Sequence, residues 1–234
     1  HLESIDPGGA PVSRRVFFVT GTDTGVGKTH VTALLLRALA TEGKQVLGLK
    51  PVAAGCEASA DGLRNDDALA LMAASTVALP YAQVNPVALV APLSPHIAAA
   101  RESRRVRVNQ LSGLVRGAIM QGRADVTLVE GAGGWRVPLN DMETLADFAR
   151  DLAVPVILVV GLRLGCLNHA LLTAEAIRRD GLRLAGWVAN AVDPHMEARQ
   201  ENIDTLRAAL LAPLLGVVGW EETAPQFDLA PLNS

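Results

Sequence analysis

Apolar residues fall into two alternating arrangements along this chain: short unbroken runs, and longer stretches in which they recur every three or four positions. The unbroken runs are VFFVT (16–20), QVLGLK (45–50), DVTLVE (125–130), VPVILVVG (154–161), LRLAGWVAN (182–190) and LLGVVGW (214–220). Rich in β-branched residues and bounded by glycine or polar positions, they predict buried strands. Between them, HVTALLLRALATEG has helical spacing and stops at Gly43, and RNDDALALMAAS opens with its acidic residues, where a helix dipole favours them. Further helices are predicted around 97–102 and 110–121, over LNHALLTAEAIRRDG, and over 197–211, with a proline-rich connection at 79–95.

Continuous apolar strands that alternate with helices predict an α/β fold, a mostly parallel sheet covered by helices on both faces. No long linker and no repeat of 20 to 50 residues divides the pattern, so residues 14–234 read as one domain. Residues 1–13 have turn composition and read as a tag remnant or disordered leader. Half of the 234 residues are hydrophobic and 19% are charged, which excludes an intrinsically disordered chain. A net charge of −3 and 3% aromatics argue against a nucleic-acid partner. Two cysteines make no disulfide framework or zinc signature and suit a reducing, cytoplasmic setting. The most apolar stretch, 152–162, is broken by Pro155 and too short for a bilayer, so no membrane association is expected.

The distribution of the 21 glycines adds chemistry to this outline. In parallel sheets, ligands bind beyond the carboxyl ends of the strands. The segments that follow the runs are GTDTGVGKT, KPVAAG, GAGGWRVP, LRLGCLNHA and AVDPH, and three of them are glycine-rich. GTDTGVGKT stands between a predicted strand and a predicted helix, as a phosphate-binding loop must. Its glycines let backbone N–H groups turn inward, Lys28 reaches the β- and γ-phosphates, and the Thr29 hydroxyl ligates Mg²⁺. The loop has five residues between its first glycine and Gly27-Lys28, where the general motif has four. The reading is a nucleoside triphosphate site.

Glu130 closes a buried strand where a metal-binding carboxylate belongs, or it caps the next turn. Asp66 and Asp67 either reach the same metal or are plain helix-start charges. Lys50 either meets the charge that develops on a transferring group or is the solvated end of its strand. GAGG offers free amides to an anion or permits close packing. Gly165, Cys166 and Asn168 precede a helix whose N-terminus suits a carboxylate. With no base nearby, Cys166 reads as a buried structural thiol. His30 reads as packed or solvated.

Taken together, GTDTGVGKT, KPVAAG, GLRNDDALAL, SPHIAA, VEGAGGWRVPL, VPVILVVGLRLGCLNHALLTAEAI and GWVAN resemble the dethiobiotin synthetase family of the biotin pathway, in order and spacing, over residues 16–220. The five-residue loop spacing is itself characteristic of that family. The resemblance implies an ATP-dependent cyclo-ligase that converts 7,8-diaminononanoate and CO₂ to dethiobiotin through a carbamate and a carbamic–phosphoric anhydride. It implies that Gly25, Val26, Gly27, Lys28, Thr29 and His30 surround the nucleotide and that Asn190 reads adenine. It implies Mg²⁺ on Thr29, Asp67 and Glu130, with Asp67 preferred to Asp66. Thr24, Lys28 and Lys50 would act on the reacting groups, with Lys50 and Gly133 touching substrate. Family members are homodimers, so Leu164, Gly165, Cys166 and Asn168 would hold the tail of the partner's substrate. Gly25, Ala54 and Ala191 stand where some relatives have glutamate, serine and aspartate. In regulatory partition-type ATPases of related fold a signature lysine stands early in the loop; Asp23 occupies that place here.

Overall fold

A computed structural model describes residues 14–233, together with the backbone of a short antiparallel pair, Glu3–Ser4 with Val12–Ser13. The leader expectation otherwise falls outside the described residues. Six strands form the central sheet: β1 (Arg15–Gly21), β2 (Val46–Leu49), β3 (Val126–Glu130), β4 (Val156–Leu162), β5 (Leu184–Ala191) and β6 (Leu214–Val218). Their order across the sheet is β6-β5-β4-β1-β3-β2, and every pairing is parallel. Each predicted strand is present, with ends shifted by two residues or fewer.

Side chains that alternate along these strands enter two separate cores. Phe17, Val19, Val126, Leu128, Ile157 and Val159 pack beneath α1 (Lys28–Thr41) and α2 (Asp66–Ala74). Phe18, Val129, Val156, Leu158 and Val160 face the opposite layer. That layer is built from α4 (Pro95–Arg101), α5 (Val108–Gly122), α6 (Leu145–Leu152), α7 (Cys166–Arg179) and α8 (Arg199–Ala209), after a single turn α3 (Tyr81–Val84). Burial on both faces is why the strands read as unbroken apolar runs rather than alternating ones.

The hydrophobic pattern did not predict the single turn α3 or the short strand pairs Val52–Ala53 with Val87–Ala88 and Glu57–Ser59 with Gly62–Arg64. Among the described helices of eight residues or more, the one it missed is α6. It is eight residues long and its start is set by a capping box. The Asp147 carboxylate accepts from the Thr144 N–H at 2.8 Å, while the Thr144 hydroxyl accepts from the Asp147 N–H at 3.4 Å. The T-x-x-D spacing before an apolar run was the available signal. Among the described residues, no helix is long and apolar enough to cross a membrane.

Candidate functional site

The order of the sheet places β1 between β3 and β4, so the loops that leave these three strands meet at one edge. The first runs from Gly21 to Lys28 and wraps the N-terminus of α1. Gly25 and Gly27 have φ of +74° and +84°, a region that side-chain-bearing residues rarely occupy. At Gly27 space is also closed: a Cβ there would lie 2.2 Å from Asn190 Nδ2. The Asn190 amide, buried at the end of β5, donates to the Val26 carbonyl at 2.9 Å. Val26 is itself fully buried, so it supports the loop from below.

Four side chains converge in front of this loop. The Thr29 hydroxyl donates to Glu130 Oε1 at 2.7 Å. Lys50 Nζ donates to the same oxygen at 3.2 Å and to the Gly131 carbonyl at 3.0 Å, and lies 3.3 Å from Asp67 Oδ2. Both Lys50 and Glu130 are buried. The Lys50 backbone is fixed by its N–H donating to the Val84 carbonyl and by the Asn85 amide donating to its carbonyl. These contacts remove the reading of Lys50 as a solvated strand end.

Burial pulls the Lys50 ammonium down, but Glu130 and Asp67, through charge and hydrogen bonds, more than reverse this and raise it above its ordinary value. Lys28 has the opposite balance. Burial, then the nearby Lys50 charge, lower it to about 8, against partial opposition from Glu130, Asp67 and Asp23. A phosphate anion beside Lys28 would raise it again.

Glu130 Oε2 is buried without a hydrogen-bond partner. An unpaired carboxylate oxygen there is costly, and a divalent cation would compensate it. With Asp67 and the Thr29 hydroxyl it offers hard oxygen donors of the kind Mg²⁺ takes alongside phosphate and water. No group of three His, Cys, Asp or Glu side chains suited to a metal occurs among the described residues. Two carboxylates and a hydroxyl are consistent with that finding, because such a site is completed by the nucleotide.

A cavity of about 710 Å³ opens over this cluster. Of the residues expected from sequence, Thr24, Gly25, Gly27, Lys28, Thr29, His30, Lys50, Asp67, Glu130 and Gly133 line it. Asp67 is there and Asp66 is not, and Asp67 is the one beside Lys50. His30 Nε2 lies 3.1 Å from the Glu222 carbonyl, which draws the segment after β6 toward the loop. Residues 92–95 and Asn65 form wall that residue-type reasoning did not pick out. The quoted SPHIAA motif, which begins at Ser94, was the signal for that wall.

Leu164, Gly165, Cys166 and Asn168 do not line this cavity. Gly165, at φ +100°, turns the chain into α7; Leu164 is 97% exposed, and Asn168 faces solvent. Cys166 is buried, with its thiol 3.8 Å from Asn202 Oδ1.

A family model described as an AAA domain matches residues 15–226. An ATP-dependent dethiobiotin synthetase BioD from Cellvibrio japonicus is 55% identical, over 94% of this chain and 99% of its own length. The chain belongs to the dethiobiotin synthetase family. Two more members of the family named BioD, from Pseudomonas aeruginosa PAO1 and Marinobacter nauticus, are 53% and 50% identical, over 93% and 95% of this chain and 97% and 95% of their own. Among solved structures, the MinC:MinD cell division protein complex from Aquifex aeolicus has a TM-score of 0.56 at 20% identity, over 88% of this chain and 82% of the other. Cell division protein FtsY from Thermotoga maritima has 0.54 at 18%, over 95% and 68%. These structural likenesses show the fold and nothing finer.

Proposed function

We propose that this member of the dethiobiotin synthetase family is an ATP-dependent ligase of biotin biosynthesis that closes the ureido ring of dethiobiotin from 7,8-diaminononanoate and CO₂. The observation that carries this reading is the Thr29–Glu130–Lys50–Asp67 cluster set in front of the phosphate loop. One amine of the diamine adds to CO₂ and loses a proton to give a carbamate. A carbamate oxygen leaves poorly until it is phosphorylated, so it attacks the γ-phosphorus of ATP and releases ADP. The second amine then attacks the carbonyl carbon of the mixed anhydride and expels phosphate as the ring closes.

Each residue has a task in this sequence. Loop amides from Gly25 to Thr29 hold phosphate oxygens, and Lys28 meets the charge that moves between them. Lys50 is held charged by Glu130 and Asp67, within reach of a carbamate in the cavity. Thr24 and Gly133 lie side by side in the cavity wall, where a Cβ on Gly133 would be 3.4 Å from the Thr24 hydroxyl. His30 borders the nucleotide in the cavity, and Asn190, which lies behind the loop with its amide donating to the Val26 carbonyl, is assigned to the base by the family resemblance. Mg²⁺ would be held by Thr29, Asp67 and Glu130, and supplies charge neutralisation on the phosphates.

The tail of the substrate is assigned to a second copy of the chain. Leu164, Gly165, Cys166 and Asn168 stand outside the cavity, with Leu164, Gly165 and Asn168 exposed and Cys166 buried beneath them, and α7 beyond exposes Leu171 and Leu172. An exposed apolar face beside a helix N-terminus suits a homodimer in which each copy clamps the other's substrate carboxylate. The setting is cytoplasmic, where ATP and the diamine occur together.

Incubation with ATP, Mg²⁺, bicarbonate and diaminononanoate tests the reading. ADP and ring-closed product should appear together and only with the diamine present. ADP release indifferent to the diamine would instead indicate a nucleotide-driven switch.

A further inference from the structure

The glycine-rich segment that forms one wall of the cavity, residues 131–137, is anchored at both ends, and only one anchor belongs to the reaction cluster. At its start, Gly131 gives its carbonyl to Lys50, and a Cβ on Gly131 would meet the Phe18 ring at 2.9 Å. At its far end the Val137 carbonyl accepts from the Leu145 N–H at 2.8 Å, and the side-chain anchor is Asp180, which follows the last turn of α7. The Trp135 indole donates to Asp180 Oδ2 at 2.7 Å, and the Arg136 guanidinium donates to both carboxylate oxygens, at 2.8 and 3.1 Å.

This is a built contact. The Asp180 side chain is 10% exposed, Trp135 is buried, and its ring meets Phe18 edge-on at 6.0 Å. Partial burial would raise the Asp180 carboxyl, but hydrogen bonds from Arg136 and Trp135, with the charges of Arg136 and Arg150, hold it below the ordinary carboxylate value. Between the two anchors the chain bends through Gly133, at φ +69°, and presents Ala132 and Gly133 to the cavity, with Val137 following just beyond the second anchor.

We infer that Asp180 is a positioning residue: through Trp135 and Arg136 it sets the height of the 131–137 wall against the substrate, and so the alignment of the carbamate with the transferring phosphoryl group. The inference rests on the reading of the cavity as the diamine site. Asp180 itself touches no reacting group. It acts by removing freedom from a segment whose glycines would otherwise supply it, and small misplacements of a reactant are expensive in rate. A bidentate arginine–carboxylate pair with a third donor from a buried indole is a geometry well suited to that task.

Two measurements on the whole 234-residue chain test this. In Asp180→Ala, amide hydrogen exchange across 131–137 should rise, with α1 and the phosphate loop unchanged. In the same variant KM for the diamine should rise roughly tenfold and kcat fall, with KM for ATP changed less than about twofold. Asp180→Asn keeps an acceptor for Trp135 but loses the charge, and should fall between the two. It also serves if the alanine variant does not fold. Unchanged exchange in the segment, or equal movement of both KM values, overturns the inference. If the unmodified chain turns over no diamine, the proposed function fails, and the exchange measurement still decides whether Asp180 governs the wall.

Discussion

Lys28 is buried at the helix start and its ammonium is pulled to about 8, chiefly by burial. From about pH 8 to 10.5 the unfolded chain holds more proton at this position than the folded one, so the contribution of Lys28 to stability rises with pH across that window. A bound triphosphate reverses the balance by favouring the charged form. ATP should therefore bind with proton uptake at about pH 8.5 and more weakly as pH rises further. Calorimetry in two buffers of different ionisation enthalpy should show the uptake, and Lys28→Met should abolish it. Gly27 is constrained more rigidly. Gly27→Ala imposes a side chain at φ +84° and drives it into Asn190. A loss of roughly 1–3 kcal/mol in stability is expected, read by urea denaturation, with a weaker ATP affinity read by titration. The local order of strand, loop and helix made both residues legible in the chain. The Asn190 contact behind Gly27 was not, because it bridges 164 positions.

At the scale of elements, the strands and long helices follow from periodicity because burial on both faces leaves little room for polar interruption. Helix α6 departs from this. It is held by tertiary packing of Leu145, Ala146, Phe148 and Ala149 and started by the Thr144–Asp147 box, so its eight residues carry too short a pattern to stand out. Thr144→Ala should cost about 1 kcal/mol, a fall of roughly 2–4 °C in Tm for a chain of this size, with ATP binding unchanged. The loops that end β1, β2 and β3 are legible as candidates for chemistry, since ligands gather at those strand ends. Which of two neighbouring aspartates reaches the cavity was left open by residue order and decided by how α2 is set against β2. Asp67 turns toward Lys50; Asp66 is exposed.

For the molecule as a whole, the cavity is lined by the residues to which the proposed function gives phosphate, metal and carbamate roles, while Leu164, Gly165, Cys166 and Asn168 do not line it. If the tail of the substrate is clamped by a second copy, Asn168→Ala should raise KM for the diamine roughly tenfold and leave KM for ATP nearly unchanged. Dilution below the dimer dissociation constant should reproduce that effect in the unmodified chain. Equal changes in both KM values would remove the clamp.

What the amino-acid order determined alone has local physics behind it: six apolar strands, the longer helices and a glycine loop able to turn its amides inward. Family resemblance added roles to particular residues. Tertiary structure alone decided that Thr29, Lys50, Asp67 and Glu130 share one point, across separations of up to 101 positions, and that one carboxylate oxygen there is buried and unpaired. It also joined Trp135 and Arg136 to Asp180. The physical reason is that charge–charge and hydrogen-bond partners are chosen by distance in space. Strand order across a sheet sets that distance, and no period in the chain records it.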